Sequence, residues 1–206
     1  MTIDTQNDFT LPDSSSRIEG TMEVVPQISR LLSAYRRAKL PIIHVIRLYE
    51  KDGSNADICR KEIIESGKQI VAPGTKGADL VDGIKPEADY LLDSTSLLSG
   101  GFQQIGPCEW VMYKPRWGAF YRTGLEVFLR NSELDTIVFS GCNFPNCPRT
   151  SMYQGSERDF KVVMVSDAMS GVYEKGLSEM QNIGVSVKST EEVCENVEQL
   201  TGGGVE

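Results

Sequence analysis

The chain has 206 residues, 40% hydrophobic and 24% charged, an ordinary make-up for one globular domain that excludes fibrous and disordered classes. Its 21 Lys+Arg against 29 Asp+Glu leave a net charge of −8, the wrong sign for a nucleic-acid or anionic-membrane binder. One histidine, His44, excludes multi-histidine metal sites, and five cysteines with no small-domain framework suit reduced thiols in the cytoplasm.

In chain order, Met1-Thr2-Ile3 reads as the stump of a first strand. Met22 to Lys39 places Val24, Ile28, Leu31, Leu32, Tyr35 and Ala38 three and four apart, the apolar stripe of a helix. Ile42 to Leu48, Glu109 to Tyr113, Thr136 to Ser140 and Lys161 to Ser166 are short apolar, β-branched runs suited to strands buried on both faces, and Val185-Ser186-Val187 is a weaker sixth. Between them, helices are expected at Thr123–Arg130, after Pro148 and at Leu177–Ile183. Ser189 and Glu192 form a capping-box pattern that opens a last helix through Val193, Val197 and Leu200. Strands alternating with helices predict an α/β fold with a doubly wound, mainly parallel six-stranded sheet flanked by helices, as one domain over 1–200 with a frayed tail at 201–206. The long Gly/Pro-punctuated stretch Glu50 to Cys108 is the exception. Short helices are expected there at Asp57–Ser66 and Gly77–Ile84, and an excursion of this length is usually functional or a contact surface.

In open parallel sheets ligands bind beyond the carboxyl ends of the strands. Three polar groups fall at such ends: Asp4 after the first strand, Lys114 after Trp110–Tyr113, and Cys147 in the loop after Ile137–Ser140. Each alone is ordinary, as a turn acid, a surface lysine or a small buried thiol. Together they point at one edge of one sheet. Gly141-Cys142-Asn143-Phe144-Pro145-Asn146-Cys147-Pro148 delivers Cys147 to a helix N-terminus, where unpaired N–H groups and the dipole favour a thiolate and can bind an oxyanion. An ammonium ~4 Å away adds about 4 kcal/mol at an effective dielectric of ~20, enough by itself to make that thiol ionise readily. Asp4 opposes that ionisation as a like charge and can instead accept the thiol proton, so the three are expected to titrate as a unit.

The segments Ile3-Asp4-Thr5-Gln6-Asn7-Asp8-Phe9, Lys114-Pro115-Arg116-Trp117-Gly118-Ala119-Phe120-Tyr121-Arg122-Thr123 and Gly141 to Cys147 resemble the isochorismatase-like cysteine hydrolases, which have a Rossmann-like three-layer fold. Pro73-Gly74-Thr75-Lys76-Gly77-Ala78 with Ile84-Lys85-Pro86, and Val165-Ser166-Asp167-Ala168, extend the likeness over nearly the whole chain. The members in view are N-carbamoylsarcosine amidohydrolases and the ureidoacrylate and biuret hydrolases. The resemblance implies a catalytic set of Asp4, Lys114 and Cys147, an oxyanion hole from the backbone N–H groups of Asn143 and Cys147, and a cis peptide at Cys142-Asn143. It implies hydrolysis of a C–N bond in a small amide or ureido compound through a thioester, with no cofactor, and a homo-oligomer.

Three departures from the family stand out. Only three residues precede Asp4, against a longer first strand in most members. Phe144-Pro145-Asn146 replaces the usual Thr-Asp-apolar loop, which leaves a catalytically silent ligand binder as an alternative. The metal ligands of nicotinamidases have no counterpart, since His44 stands alone in a strand and reads as a packed or hydrogen-bonded residue. Isochorismatase-type ether hydrolysis is a further alternative, although members with that activity often lack the cysteine. Gln6, Phe9, Arg116, Trp117, Tyr121 and Arg149 adjoin the motifs as candidate substrate-binding residues. The arginines suit a carboxylate-bearing or very polar substrate, or equally a loop or subunit contact, and Trp117 suits the core as well as a pocket wall. Arg47-Leu48-Tyr49, with Asp52-Gly53-Ser54-Asn55 and Arg60, are candidates for an entrance from the long excursion.

Overall fold

The computed structural model describes residues 1–87 and 89–202. Seven strands form one sheet: β1 (Thr2–Ile3), β2 (Ile42–Ile46), β3 (Phe102–Gly106), β4 (Glu109–Tyr113), β5 (Thr136–Gly141), β6 (Lys161–Met169) and β7 (Ser186–Lys188). Their order across the sheet is β3-β4-β2-β1-β5-β6-β7, and every neighbouring pair is parallel except β3–β4. From β1 the chain winds outward through β2 and β4, then returns and winds the other way through β5, β6 and β7. The reversal lies between β1 and β5, where a doubly wound sheet opens its binding crevice. Although only two residues long, β1 pairs with neighbours on both sides.

The helices are α1 (Asn7–Thr10), α2 (Thr21–Arg37), α3 (Ile58–Glu65), α4 (Ser94–Leu98), α5 (Leu125–Asn131), α6 (Cys147–Ser156), α7 (Glu174–Asn182) and α8 (Thr190–Gly202). Alternation along each strand divides the core in two. Ile42 and Ile46 of β2 and Val111 of β4 pack with Ile28 and Leu31 of α2 and Val193 and Val197 of α8. Ile43 and Val45, one residue out of phase, pack on the other face with Leu125 and Leu129 of α5, Met152 of α6 and Met180 of α7. The capping box forms as the sequence predicts: Ser189 Oγ accepts from Glu192 N at 3.2 Å, and Glu192 Oε2 accepts from Ser189 N at 2.8 Å. No helix among the described residues is long and apolar enough to cross a membrane.

Three expectations are corrected. The sheet has a seventh strand, β3, which carries Phe102-Gln103-Gln104 and no apolar run because it lies at the edge; its Phe102 ring stacks on Phe128 at 4.6 Å. The helix expected at Gly77–Ile84 is two separate 3₁₀ turns, Lys76–Ala78 and Asp82–Ile84. Between them the chain extends, bridging Leu80 to Gln6. Finally, α8 runs on to Gly202, so part of the expected tail is helical and the remainder, 203–206, lies outside the described residues.

His44 is packed and hydrogen-bonded. It is fully buried on the face beneath α2, with Nδ1 2.7 Å from Thr2 Oγ1 and Nε2 2.7 Å from Glu109 Oε1. Arg36 completes the chain by donating to both Glu109 oxygens, at 2.9 and 2.6 Å. Burial lowers the His44 pKa, so the ring is neutral, with Nε2–H donating to Glu109 and Nδ1 accepting from Thr2. Burial alone would raise the Glu109 pKa, but hydrogen bonds from Arg36 and His44 and the Arg36 charge bring it down to about 2. Asp167 is structural as well: its Oδ1 accepts from the backbone N and hydroxyl of Thr190, fixing the start of α8.

Candidate active site

Asp4, Lys114 and Cys147 meet at the carboxyl edge of the sheet. Asp4 ends β1 in a left-handed conformation, with φ at 51°, and its N–H donates to Val45 O at 2.9 Å. Lys114 follows β4, separated from β1 by β2, so at the usual spacing its backbone stands about 10 Å away. Only a long side chain crosses that gap. Lys114 Nζ reaches Asp4 Oδ2 at 2.8 Å and also donates to Arg116 O at 3.3 Å, with the lysine fully buried. Asp4 Oδ1, by contrast, is buried and has no hydrogen-bond partner. It is the acceptor this constellation leaves available.

Cys147 opens α6, with Pro148 next in the first turn. The loop that delivers it depends on Gly141, whose φ is 113° and where a Cβ would lie 2.3 Å from Ile3 O. Only glycine lets β5 pass β1 that closely. The Cys142-Asn143 peptide is cis. Phe144, where the loop departs from the family, is fully buried and meets the Tyr173 ring edge-on at 5.4 Å. Its N–H donates to Ser170 O at 2.8 Å, so this loop is anchored from inside the protein. The backbone N–H groups of Asn143 and Cys147 donate to nothing among the described residues.

The thiol does not ionise readily at rest, contrary to the expectation from the ammonium alone. Burial first, and then the Asp4 charge, push the Cys147 pKa up to about 12, against the opposing pull of Lys114 and Arg47. At the sulfur the pull of the lysine is offset by the charge of the aspartate it pairs with, and burial decides the direction. Cys142 is likewise raised well above the usual thiol range, mainly by burial, and its Sγ donates to Asp4 O at 3.2 Å, a packing role.

These groups line a cavity of about 30 Å³, room for a water molecule or two. Phe9, Ile18, Tyr49 and Trp117 supply its apolar walls, and Arg47, Arg60, Asn143 and Asn146 its polar ones, beside Asp4, Cys142 and Cys147. Of the candidate substrate-binding residues, Phe9 and Trp117 lie there, as do Arg47, Tyr49 and Arg60 from the excursion. The other four do not. Gln6 is fully buried, with Nε2 donating to Arg47 O and Ala78 O at 2.8 and 2.7 Å and Oε1 accepting from Arg47 N, so its amide ties loops together. Arg116 donates to the Asn55 and Pro115 carbonyls. Tyr121 is exposed beside Arg122. Arg149 pairs with Glu179 and donates to Tyr173, bracing α6 against α7. Ile18 and Asn146 were not foreseen. Ile18 stands in a polar, aperiodic stretch that carries no signal, whereas the position of Asn146, just before Cys147, was a signal available in the sequence.

A catalytic metal of the nicotinamidase type does not fit these residues. Both nitrogens of His44 are engaged beneath α2, and among the described residues no group of three or more His, Cys, Asp or Glu side chains is arranged to hold an ion.

A family model described as the Isochorismatase domain matches residues 1–192. The chain is 28% identical over 205 residues to a probable inactive nicotinamidase of Arabidopsis thaliana, covering 96% of this chain and 94% of that protein. It is 26% identical over 184 residues to a ureidoacrylate amidohydrolase of Methylobacterium radiotolerans, covering 81% of this chain and 64% of that longer protein. The crystal structure of an isochorismatase family protein from Desulfovibrio vulgaris superposes with a TM-score of 0.80 at 31% identity, covering 95% of each chain. On the strength of the family match along almost its full length, the chain belongs to the isochorismatase family.

Proposed function

We propose that the protein is a cysteine hydrolase that cleaves a C–N bond of a small amide or ureido substrate through a thioester. The observation that carries this reading is the division of labour on Asp4, one oxygen held by Lys114 and the other unpartnered, in the same cavity as Cys147. Asp4 Oδ1 takes the Cys147 proton as Sγ attacks the substrate carbonyl. The Asn143 and Cys147 N–H groups receive the developing oxyanion. Asp4 returns the proton to the leaving nitrogen as the C–N bond breaks, leaving the acyl or carbamoyl group on sulfur. Water, deprotonated by Asp4, then cleaves the thioester, and the proton passes back to the departing thiolate. A thiol that is neutral at rest suits this route, because deprotonation is coupled to attack rather than preceding it. The ureidoacrylate amidohydrolase relative supports the substrate class.

The test is ammonia release from a panel of small amides and ureides. Turnover by the wild-type chain and none by a folded Cys147→Ala variant is the expected result; hydrolysis retained in that variant would overturn the assignment. A second reading, a silent ligand-binding member, is favoured by the strongly raised thiol pKa and by the relative named a probable inactive nicotinamidase. Saturable binding of panel members with no turnover by the wild type would establish it.

A further inference from the structure

We infer that Arg60 selects the substrate by its charge, so that the molecule hydrolysed carries a carboxylate at the end away from the scissile bond. This rests on the cysteine-hydrolase reading above but is carried by a separate observation, the charge balance of the cavity. Asp4 and Lys114 neutralise one another at 2.8 Å. Arg47 and Asp57, both buried, form a second pair, and Tyr49 Oη adds a hydrogen bond to Asp57 Oδ2 at 2.8 Å. Arg60 is half-buried, lines the same cavity, and has no carboxylate in ion-pair range among the described residues. The cavity therefore holds one uncompensated positive charge in a chain whose net charge is −8.

Its position is built, not incidental. Asp57 precedes α3, held by Arg47 and Tyr49, and the Arg60 N–H donates to Asp57 O at 2.8 Å in the first turn. The buried pair thus fixes the stretch of backbone from which the Arg60 side chain reaches the cavity. A guanidinium binds a carboxylate through two parallel N–H···O bonds, and in a partly desolvated cavity that interaction is screened less than at the surface. Phe9 and Ile18, which line the same cavity, offer no competing charge. A substrate that enters by displacing the walls of this small resting cavity would place its carbonyl at Cys147 and its anionic end at Arg60.

The experiment compares ureidoacetate with ureidoacetamide, and succinamate with succinamide, in the wild type, Arg60→Gln and Arg60→Lys. The wild type is expected to prefer the anionic member of each pair by about 10–100-fold in kcat/KM. Arg60→Gln should lower kcat/KM for the anionic members, mainly through KM, by about 10–100-fold more than for the neutral members, and Arg60→Lys should restore part of that difference. Equal handling of both members by the wild type, or an equal loss on both in Arg60→Gln, would overturn the inference. Calorimetric binding of the same compounds to Cys147→Ala, with and without Arg60→Gln, separates it from the catalytic reading. Arg60-dependent binding of the anions without wild-type turnover sinks the hydrolase and keeps the anion site. Cys147-dependent turnover with no Arg60-dependent preference does the reverse. No binding of the anions to Cys147→Ala also counts against Arg60.

Discussion

Lys114 Nζ lies 2.8 Å from Asp4 Oδ2, both side chains out of solvent, although β2 separates the strands from which they rise. The contact leaves Asp4 a single oxygen for chemistry and holds that oxygen in place. Replacing Asp4 with Asn keeps the shape and removes the base, so kcat is expected to fall by about 10²–10⁴. The same change removes the charge that, after burial, does most to raise the thiol. The pH midpoint for alkylation of Cys147, followed by site-resolved mass spectrometry, should then fall below that of the wild type. A midpoint that does not move would show that Asp4 does not act on the sulfur.

The chain beneath α2 predicts how the protein responds to acid. His44 has a native pKa below its ordinary 6.5, so the unfolded state binds more protons as pH falls below that value, and stability declines. Glu109, lowered from 4.5 to about 2, adds a second loss as pH falls through that range. Urea unfolding between pH 7.5 and 3 should show stability falling with pH in two stages. In Glu109→Gln the lower stage should flatten; an unchanged slope there would place the acid sensitivity elsewhere.

Gly141→Ala is expected to cost on the order of 3–5 kcal/mol or to prevent folding. The new Cβ would meet backbone atoms of Ile3, which cannot swing aside as a flexible side chain can. A melting temperature within a degree or two of wild type would contradict the close approach of β5 and β1.

Arg149 separates bracing from binding. Its guanidinium engages Glu179 and Tyr173 outside the cavity, so Arg149→Ala should lower stability by no more than about 1 kcal/mol and leave kcat/KM within about twofold. Trp117→Ala, which opens a cavity wall, should raise KM. A large KM effect from Arg149→Ala alone would restore that residue to the substrate site.

The legible parts of the fold were those in which a residue's partners share its local period. Ile42 to Ile46 and Glu109 to Tyr113 are buried from both sides and read as strands without ambiguity. Ser189 and Glu192 lie three positions apart and cap one another. Edge strand β3 was hidden because one neighbour and a stacked phenylalanine hold it in place without an apolar run. Gln6 misled for another reason: its partners lie 41 and 72 residues away, and only the folded chain shows both ends of its amide engaged. Arg60 was noticed as an entrance residue, but its uncompensated charge became visible only once the other four charged groups were seen to be paired.

The row from Thr2 through His44 and Glu109 to Arg36 has a further consequence. A parallel strand can slide by two residues and still present its apolar side chains to the same face. Here such a slide would part a hydroxyl, an imidazole and a carboxylate from one another in the interior, so the row acts as a vernier that fixes the relative heights of three strands. Thr2 lies two positions before Asp4 and Glu109 five before Lys114, and an alignment set at the bottom of the sheet therefore decides whether aspartate and lysine arrive level at the top.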